Sequence, residues 1–270
     1  MRKAILVNAA LLAVAVITLC PLLWMVSVSF MSPGEANSFP PPFLPRQATL
    51  QNYRELFSHT GMGRCFLNSL LLATLATFLS LLFNVTAGYA FAKLHFAGRD
   101  RIFKVLLGAL IIPAQVAMIP LFLMLKNLGL VNTYVGVLIP AAANVFGIFL
   151  VRQYALALPN ELLEAARVDG AGELRVFRSI VLPALGPILV TLAIFAFLGS
   201  WNDFLWPLIV LTDDHLHTLP VALASLSREH VQDSEMMMAG SVITVLPVVA
   251  VFLVLQRYYI QGLLAGSVKG

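Results

Sequence analysis

Long apolar runs without a charged side chain recur along the 270 residues of the chain. The runs are 4–34, 65–92, 105–125, 127–151, 179–202 and 236–256. Each reaches the roughly 20 residues that an α-helix needs to cross about 30 Å of hydrocarbon. Because lipid offers no hydrogen-bond partner to a free backbone amide, each run is expected to form a helix. The pattern predicts an all-α, polytopic membrane protein with six transmembrane helices.

The six spans are placed at about 5–30, 66–92, 103–125, 134–152, 183–211 and 238–260, within a single domain of residues 1–270. The first run follows Arg2 and Lys3, as the core of a secretory signal would, but it exceeds the 7 to 15 residues of such a core. We therefore expect a retained first span, with removal as a signal peptide as the alternative. Prolines within or near the spans are expected to kink helices. They are Pro113, Pro120, Pro140, Pro187, Pro207 and Pro247.

The distribution of charged residues predicts which loops face the cytoplasm. The chain is 60% hydrophobic and 11% charged, whereas about a quarter of the residues of an average soluble protein are charged. If both termini and alternate loops face the cytoplasm, that side holds twelve of the 17 Lys and Arg residues and the opposite side holds five. The positive-inside rule predicts such an excess. The net charge of +4 therefore orients the protein in the membrane and requires no nucleic acid partner.

One charged segment, Glu161–Gly172 with the sequence ELLEAARVDGAG, interrupts the apolar chain in the predicted inner loop 153–182. Asn160 is a good N-cap, and Glu161 and Glu164 suit the positive end of the helix dipole. Gly170 and Gly172 can adopt positive φ angles and end the helix. A second short helix is expected at 173–180. The pattern predicts a helix–turn–helix that inserts into a partner, with a solvated loop as the alternative.

The same segment resembles the EAA loop of binding-protein-dependent ABC importer permeases. The resemblance rests on 164–171 (EAARVDGA) together with Phe177, Ile180, Leu182, Pro183 and Pro187. Further similarity to the carbohydrate branch, in particular to the smaller permease of maltose-type importers, covers nearly the whole chain. It includes 66–69 (FLNS), 201–208 (WNDFLWPL) and the tail 261–270 (QGLLAGSVKG).

The resemblance implies an ATP-driven importer in the bacterial inner membrane. Two permeases, usually different chains, would form the translocation path above two ATPase subunits, and an external binding protein would deliver a sugar. The first helix of the EAA loop would be a coupling helix seated in a cleft of the ATPase. The implied docking residues are Glu161, Glu164, Ala165, Ala166, Asp169 and Gly170. The tail at 267–270 would also reach the ATPase subunits.

The expected mechanism is alternating access, in which ATP binding moves the docked coupling helices and the spans turn with them. No phosphate-binding loop of the form GxxxxGK[ST] occurs in the chain. We therefore expect no enzyme activity and no cofactor here, with ATP and Mg²⁺ bound by the partner ATPase. His215 and His217 lie beside Asp213 and Asp214 but lack a recognised metal-ligand spacing.

Polar residues inside spans usually face a cavity or the interior of the bundle. The candidates for a sugar path are Gln115, Asn144, Trp201, Asn202 and Asp203. Their amide and carboxyl groups can exchange hydrogen bonds with sugar hydroxyls, and the indole offers a flat apolar face. The alternatives are amides that bridge helices and tryptophans that mark the membrane interface.

Three further questions stay open at this stage. An ion-coupled secondary transporter of small polar solutes would also have six spans, although it should carry carboxylates near the midplane and only Asp203 comes close to that position. The sugar is also undetermined: a maltooligosaccharide, trehalose, a plant-derived oligosaccharide and a glycerol phosphate all suit the sequence. The outer loop 212–240 is a candidate for contact with the binding protein, with a plain surface loop as the alternative.

Overall fold

A computed structural model describes residues 2–229 and 233–267, and this part of the chain is helical without a β-strand. The helices are α1 (Arg2–Ser29), α2 (Gln51–His59), α3 (Met62–Lys93), α4 (Arg99–Ala109), α5 (Ala114–Asn127), α6 (Tyr134–Ala142), α7 (Val145–Leu156), α8 (Asn160–Val168), α9 (Glu173–Val176), α10 (Leu182–Ala184), α11 (Gly186–Trp201), α12 (Leu205–Val210), α13 (Leu219–Glu229) and α14 (Ser234–Ser267). A π-helical turn, Phe177–Val181, joins α9 to α10, and Asp214–Leu216 forms a 3₁₀ turn.

Four helical segments of the described chain are long and apolar enough to cross a membrane. They are Ile5–Ser29, Met62–Lys93, Tyr134–Leu156 and Ser234–Gln256. Two further helix pairs pass the same test together but are bent, by 105° between α4 and α5 and by 79° between Glu173–Ala184 and α11. The count reaches six if each bent pair is one span.

The third predicted span, 103–125, is divided by the first of these bends. Pro113 has no amide hydrogen and disfavours helical geometry at the residue before it. The amides of Leu110, Ile111 and Ile112 accordingly bond to carbonyls three residues back, and α5 begins only after Pro113. The sequence predicted a kink at Pro113, and the structure confirms it; the pattern did not indicate that the bend would reach 105°.

Packing separates the chain into two compact units, Met1–Leu67 with Thr218–Val249, and Asn68–His217 with Ala250–Gly270. In the first unit, the loop after α1 is held by Asn52, whose Nδ2 donates to the carbonyls of Ser29 and Met31. The Glu235 carboxylate accepts the amide of Ala36 at 2.7 Å in the same unit.

In the second unit, α3 and α7 pack closely enough that glycine is required at their contact. A Cβ atom on Gly88 would lie 2.6 Å from the Val151 side chain, and one on Gly147 would lie 2.6 Å from Nδ2 of Asn84. Asn84 is fully buried, and its Oδ1 accepts the amide of Asn144 at 3.0 Å. This contact fixes α3 against α7, the helix that leads into the loop 153–182.

The outer loop predicted at 212–240 is partly helical. It contains α13, and α14 begins at Ser234, four residues before the predicted start of the last span. Residues 230–232 of this loop lie outside the described residues.

Candidate functional site

Helix α8 forms the first half of the charged segment, and Leu163 is its buried side chain. Leu163 is 2% exposed and belongs to a buried cluster with Val151, Ala155 and Val176. The prediction that Asn160 caps this helix is wrong. Pro159 occupies the N-cap position, and Asn160 is the first helical residue. Its side-chain oxygen instead accepts a hydrogen bond of 2.7 Å from the ammonium group of Lys93, which competes with the cap.

The turn after α8 ends the helix through one glycine. Gly170 has φ +84°, the left-handed region that glycine enters without steric cost. Its amide bonds to the Arg167 carbonyl at 3.0 Å, and the Ala171 amide reaches back to Ala166 at 2.9 Å. This pair of bonds is the Schellman pattern of a helix C-terminus. The same expectation for Gly172 is wrong, since its φ is −69° and it leads directly into α9.

A carboxylate joins both halves of the helix–turn–helix to α3. Oε1 of Glu173 accepts a hydrogen bond of 2.7 Å from Nε of Arg167, and its Oε2 accepts one of 3.0 Å from the Tyr89 hydroxyl. The hydrogen bond to Glu173 raises the pKa of Arg167 further above its usual value. The ring of Tyr89 also packs against Phe177, with centroids 5.1 Å apart.

Lys93, the last residue of α3, attaches the other end of α8. Its Nζ donates to the Leu158 carbonyl at 2.6 Å as well as to Asn160, and the residue is only 8% exposed. The sequence prediction missed the roles of Tyr89, Lys93 and Glu173. A lysine placed at the end of a charge-free run was the one available signal, but its partners are 65 and 67 residues away.

The opposite side of the helix–turn–helix faces outward. Five of the six predicted docking residues, Glu161, Glu164, Ala165, Asp169 and Gly170, are exposed, and Ala166 is half-buried against the core. Large apolar side chains accompany them: Leu162 is 55% exposed, Leu174 68% and Val168 87%. Three exposed apolar side chains within 13 residues form a surface with small, acidic and apolar groups, which suits a protein partner better than water.

The predicted path residues lie at interruptions of the spans. Gln115 is exposed in the first turn of α5, next to the bend. Asn144 lies at the break between α6 and α7, where its Oδ1 accepts the amide of Gly147 at 2.6 Å. Asn202 and Asp203 lie between α11 and α12, and each bonds to a backbone group within four residues, at Leu198 and Trp206.

Trp201 differs from the other candidates because it is fully buried. Its ring stacks on that of Phe197 with centroids 5.8 Å apart, so in this conformation its faces are used for packing. Trp206 is buried as well, and its indole Nε1 donates to the Gly136 carbonyl at 3.2 Å. The implied contact of the tail falls, apart from the helical backbone at Ser267, outside the described residues.

Comparison with known proteins identifies relatives that are permeases of transport systems. Residues 84–264 match the family described as binding-protein-dependent transport system inner membrane component. The arabinooligosaccharides transport system permease protein AraQ of Halalkalibacterium halodurans is 42% identical over 260 residues, covering 95% of this chain and 93% of AraQ. The diacetylchitobiose uptake system permease protein NgcG of Streptomyces coelicolor is 36% identical over 272 residues, covering 99% of this chain and 88% of NgcG.

A solved structure shares the fold. It is a chain of a bacterial ABC transporter involved in the import of the acidic polysaccharide alginate, with a TM-score of 0.85 and 26% sequence identity over 96% of this chain and 97% of that chain. The membrane-spanning helices and these relatives support a multi-pass inner membrane protein, and the relatives confirm the resemblance to binding-protein-dependent ABC importer permeases. The chain therefore belongs to the family of binding-protein-dependent transport system inner membrane components, as a permease subunit of an ABC importer and not an enzyme or a secondary transporter.

Proposed function

We propose that this chain forms half of the translocation path of an oligosaccharide importer and is driven through residues 160–172 by a separate ATPase. The observation that carries the proposal is the division of α8 into two faces. Leu163 fixes one face to the core, while Glu161, Glu164 and Ala165 leave the other free to contact a partner.

The chemistry of the free face supports docking in a cleft. Ala165 and Gly170 have little or no side chain, so a partner surface can come close to the backbone. Exposed Val168 and Leu174 offer apolar area at the centre of such a contact, and Glu164 offers a charge. Buried apolar anchors surrounded by polar groups are the usual composition of a protein interface.

The remaining partners follow from the family. A second permease, of a different sequence, would complete the path, two ATPase subunits would bind ATP and Mg²⁺, and an external binding protein would deliver the sugar. The twelve-to-five distribution of basic residues supports cytoplasmic termini and, with them, a position of residues 160–172 on the side of the ATPase. ATP binding then favours one of two states of the bundle by contacting α8 differently in each.

The helix breaks support a polar path within the membrane. Non-helical backbone at membrane depth is tolerated where protein buries it or where it lines a water-filled cavity. Gln115, Asn144, Asn202 and Asp203 all lie at such breaks, at helix ends where backbone groups are also available for hydrogen bonding. We propose that these four residues contact the sugar. Trp201, which is buried and packs on Phe197, would hold the neighbouring backbone in place without contacting the sugar.

The same residues indicate the class of sugar. The path set contains amides and one carboxyl group, and no Lys or Arg, so an acidic polymer would meet a like charge at Asp203. AraQ and NgcG are named for arabinooligosaccharides and diacetylchitobiose, which are short uncharged sugars. We therefore propose a short neutral oligosaccharide. Thermal shifts of the cognate binding protein with arabinotriose, diacetylchitobiose and maltotriose would identify it.

Glu164→Lys tests the docking proposal. Reversing this charge should reduce uptake of the identified sugar about tenfold or more, since a lost contact of about 1.4 kcal/mol changes an equilibrium tenfold. The ATPase subunit should also co-purify poorly, while the amount of permease in the membrane stays unchanged.

Asp100→Lys is the matched control. Asp100 is an exposed carboxylate in the first turn of α4, outside the helix–turn–helix and on the same predicted side of the membrane. Its reversal should leave uptake and co-purification near the wild-type level. Normal uptake by the Glu164→Lys permease would overturn the docking proposal.

A further inference from the structure

Lys93 has an unusual environment for a lysine at the end of a transmembrane helix. Such side chains normally extend into water at the membrane surface. Here the ammonium group points inward, with hydrogen bonds of 2.6 Å to the Leu158 carbonyl and 2.7 Å to the Asn160 side chain. Leu158 follows the end of α7, where unpaired carbonyls attract a cation. One charged group therefore connects the end of α3, the end of α7 and the beginning of α8.

Tyr89 lies one helical turn before Lys93 and therefore on the same face of α3. Its hydroxyl bonds to Glu173 at the first residue of α9, and Glu173 in turn accepts the hydrogen bond from Arg167 near the end of α8. The two side chains of α3 thus hold α8 at both ends, Lys93 directly at its start and Tyr89 through Glu173 near its finish.

The hydrogen bonds of Tyr89 and Lys93 give the attachment of α8 a defined direction, which hydrophobic burial alone does not. Leu163 keeps α8 against the core, but apolar burial is non-directional and leaves a short helix free to slide or rotate. Charge-assisted hydrogen bonds require a defined distance and angle. Such directional contacts allow a displacement of α8 along its own axis to pass to α3.

We propose that Tyr89 and Lys93 are positioning residues that transmit the movement of α8 to α3 when the importer turns over. They touch neither the nucleotide nor the sugar. The inference rests on the proposed docking of α8 to an ATPase and names the residues through which that docking acts on the bundle. Loss of either contact should leave the importer assembled while its ATP hydrolysis no longer drives transport efficiently.

Two variants remove the hydrogen bonds while keeping the packing. Tyr89→Phe deletes only the hydroxyl and retains the ring against Phe177. Lys93→Met retains the alkyl chain and deletes the charge. Thr86→Val is the matched control: it removes a hydroxyl from an exposed position of α3 whose hydrogen bonds go to Leu82 and Phe83 of the same helix.

The experiment uses the complete complex in proteoliposomes, with the permease pair, the ATPase subunits and the binding protein. Uptake of radiolabelled sugar, the best of arabinotriose, diacetylchitobiose and maltotriose in the wild type, is measured together with ATP hydrolysis. We expect Tyr89→Phe and Lys93→Met to keep a wild-type amount of bound ATPase and to raise the ATP consumed per sugar about tenfold, the change expected from one hydrogen bond to a charged group. Lys93→Arg, which keeps charge and donors, should recover most of the coupling.

The outcomes are distinct. An unchanged ratio of ATP to sugar in Tyr89→Phe and Lys93→Met, equal to that of Thr86→Val, would overturn the transmission proposal. A loss of assembled complex, with uptake and hydrolysis falling in proportion, would also overturn it and leave the two residues a purely structural role. Failure of the wild-type chain to bind any ATPase subunit would instead overturn the proposed function itself.

Discussion

At the scale of single residues, the two glycines of the turn 169–172 have different backbone conformations. Gly170 and Gly172 flank one alanine, yet only Gly170 has a positive φ, of +84°. Neither position has an atom within 4 Å of an added Cβ, so space does not distinguish them. The difference between the two glycines is purely conformational.

Gly170→Ala should therefore loosen the end of α8, and Gly172→Ala should not. An alanine in the left-handed region costs about 1 kcal/mol, which corresponds to about fivefold more frequent local opening. Hydrogen–deuterium exchange of the amides at 165–176 measures this opening. Equal exchange rates in the two variants would show that the turn is not held as described.

At the scale of elements, the contact between α3 and α7 positions the helix–turn–helix. Gly88 lies on α3 facing Val151 of α7, and a Cβ there would be 2.6 Å from both Cβ and Cγ1 of the valine. The Cβ atom of Val151 is fixed by the backbone and cannot rotate away, and the backbone nitrogen of Arg152 would be only 3.1 Å away, so an added methyl group must separate the helices. The ends of α3 and α7 carry Lys93 and Leu158, and a wider separation would strain the bonds around α8.

Gly88→Ala should destabilise the protein by about 1 to 3 kcal/mol, the usual cost of overpacking a tight core. Thermal unfolding of the purified chain in detergent micelles provides the measurement, as a decrease in Tm. Gly199→Ala in α11 is the control, because an added Cβ there has no atom within 4 Å and alanine favours the helix. A Tm for Gly88→Ala equal to that of Gly199→Ala would contradict the close packing.

At the scale of the whole molecule, orientation follows from the distribution of basic residues. Asp100 belongs to a loop that the prediction places in the cytoplasm, and Asp214 to one that it places outside. Both carboxylates are exposed, with 65% and 95% of the side chain accessible. They therefore offer one reporter position for each side of the membrane.

A membrane-impermeant maleimide added to intact spheroplasts should label Asp214→Cys and should label Asp100→Cys only after lysis. The two native cysteines, Cys20 and Cys65, are replaced by alanine in both variants. This labelling pattern is expected because loops rich in Lys and Arg stay on the cytoplasmic side of the membrane. The opposite labelling pattern would place residues 160–172 outside, where no ATPase could reach them.

Comparison of particular elements shows which features a sequence could predict. The apolar runs and the charged segment 161–172 were predictable because each depends on the composition of a continuous stretch of chain. The capping of α8 was not predictable, because the side chain of Asn160 accepts a hydrogen bond from Lys93, 67 residues earlier in the chain. A kink at Pro113 was predicted, but its size was not, because hydropathy records the solvent around a residue and not the direction of its backbone.

The sequence by itself thus determined that this protein lies in a membrane and carries a charged helix–turn–helix at 160–180, since lipid solvation and helix-terminus chemistry act locally. Only the tertiary structure decided how that helix–turn–helix is held. Its attachments join Tyr89 to Glu173 and Lys93 to Leu158, pairs that are 84 and 65 residues apart. Such pairs meet only after the helices between them have packed, and no local pattern specifies which donor then reaches which acceptor.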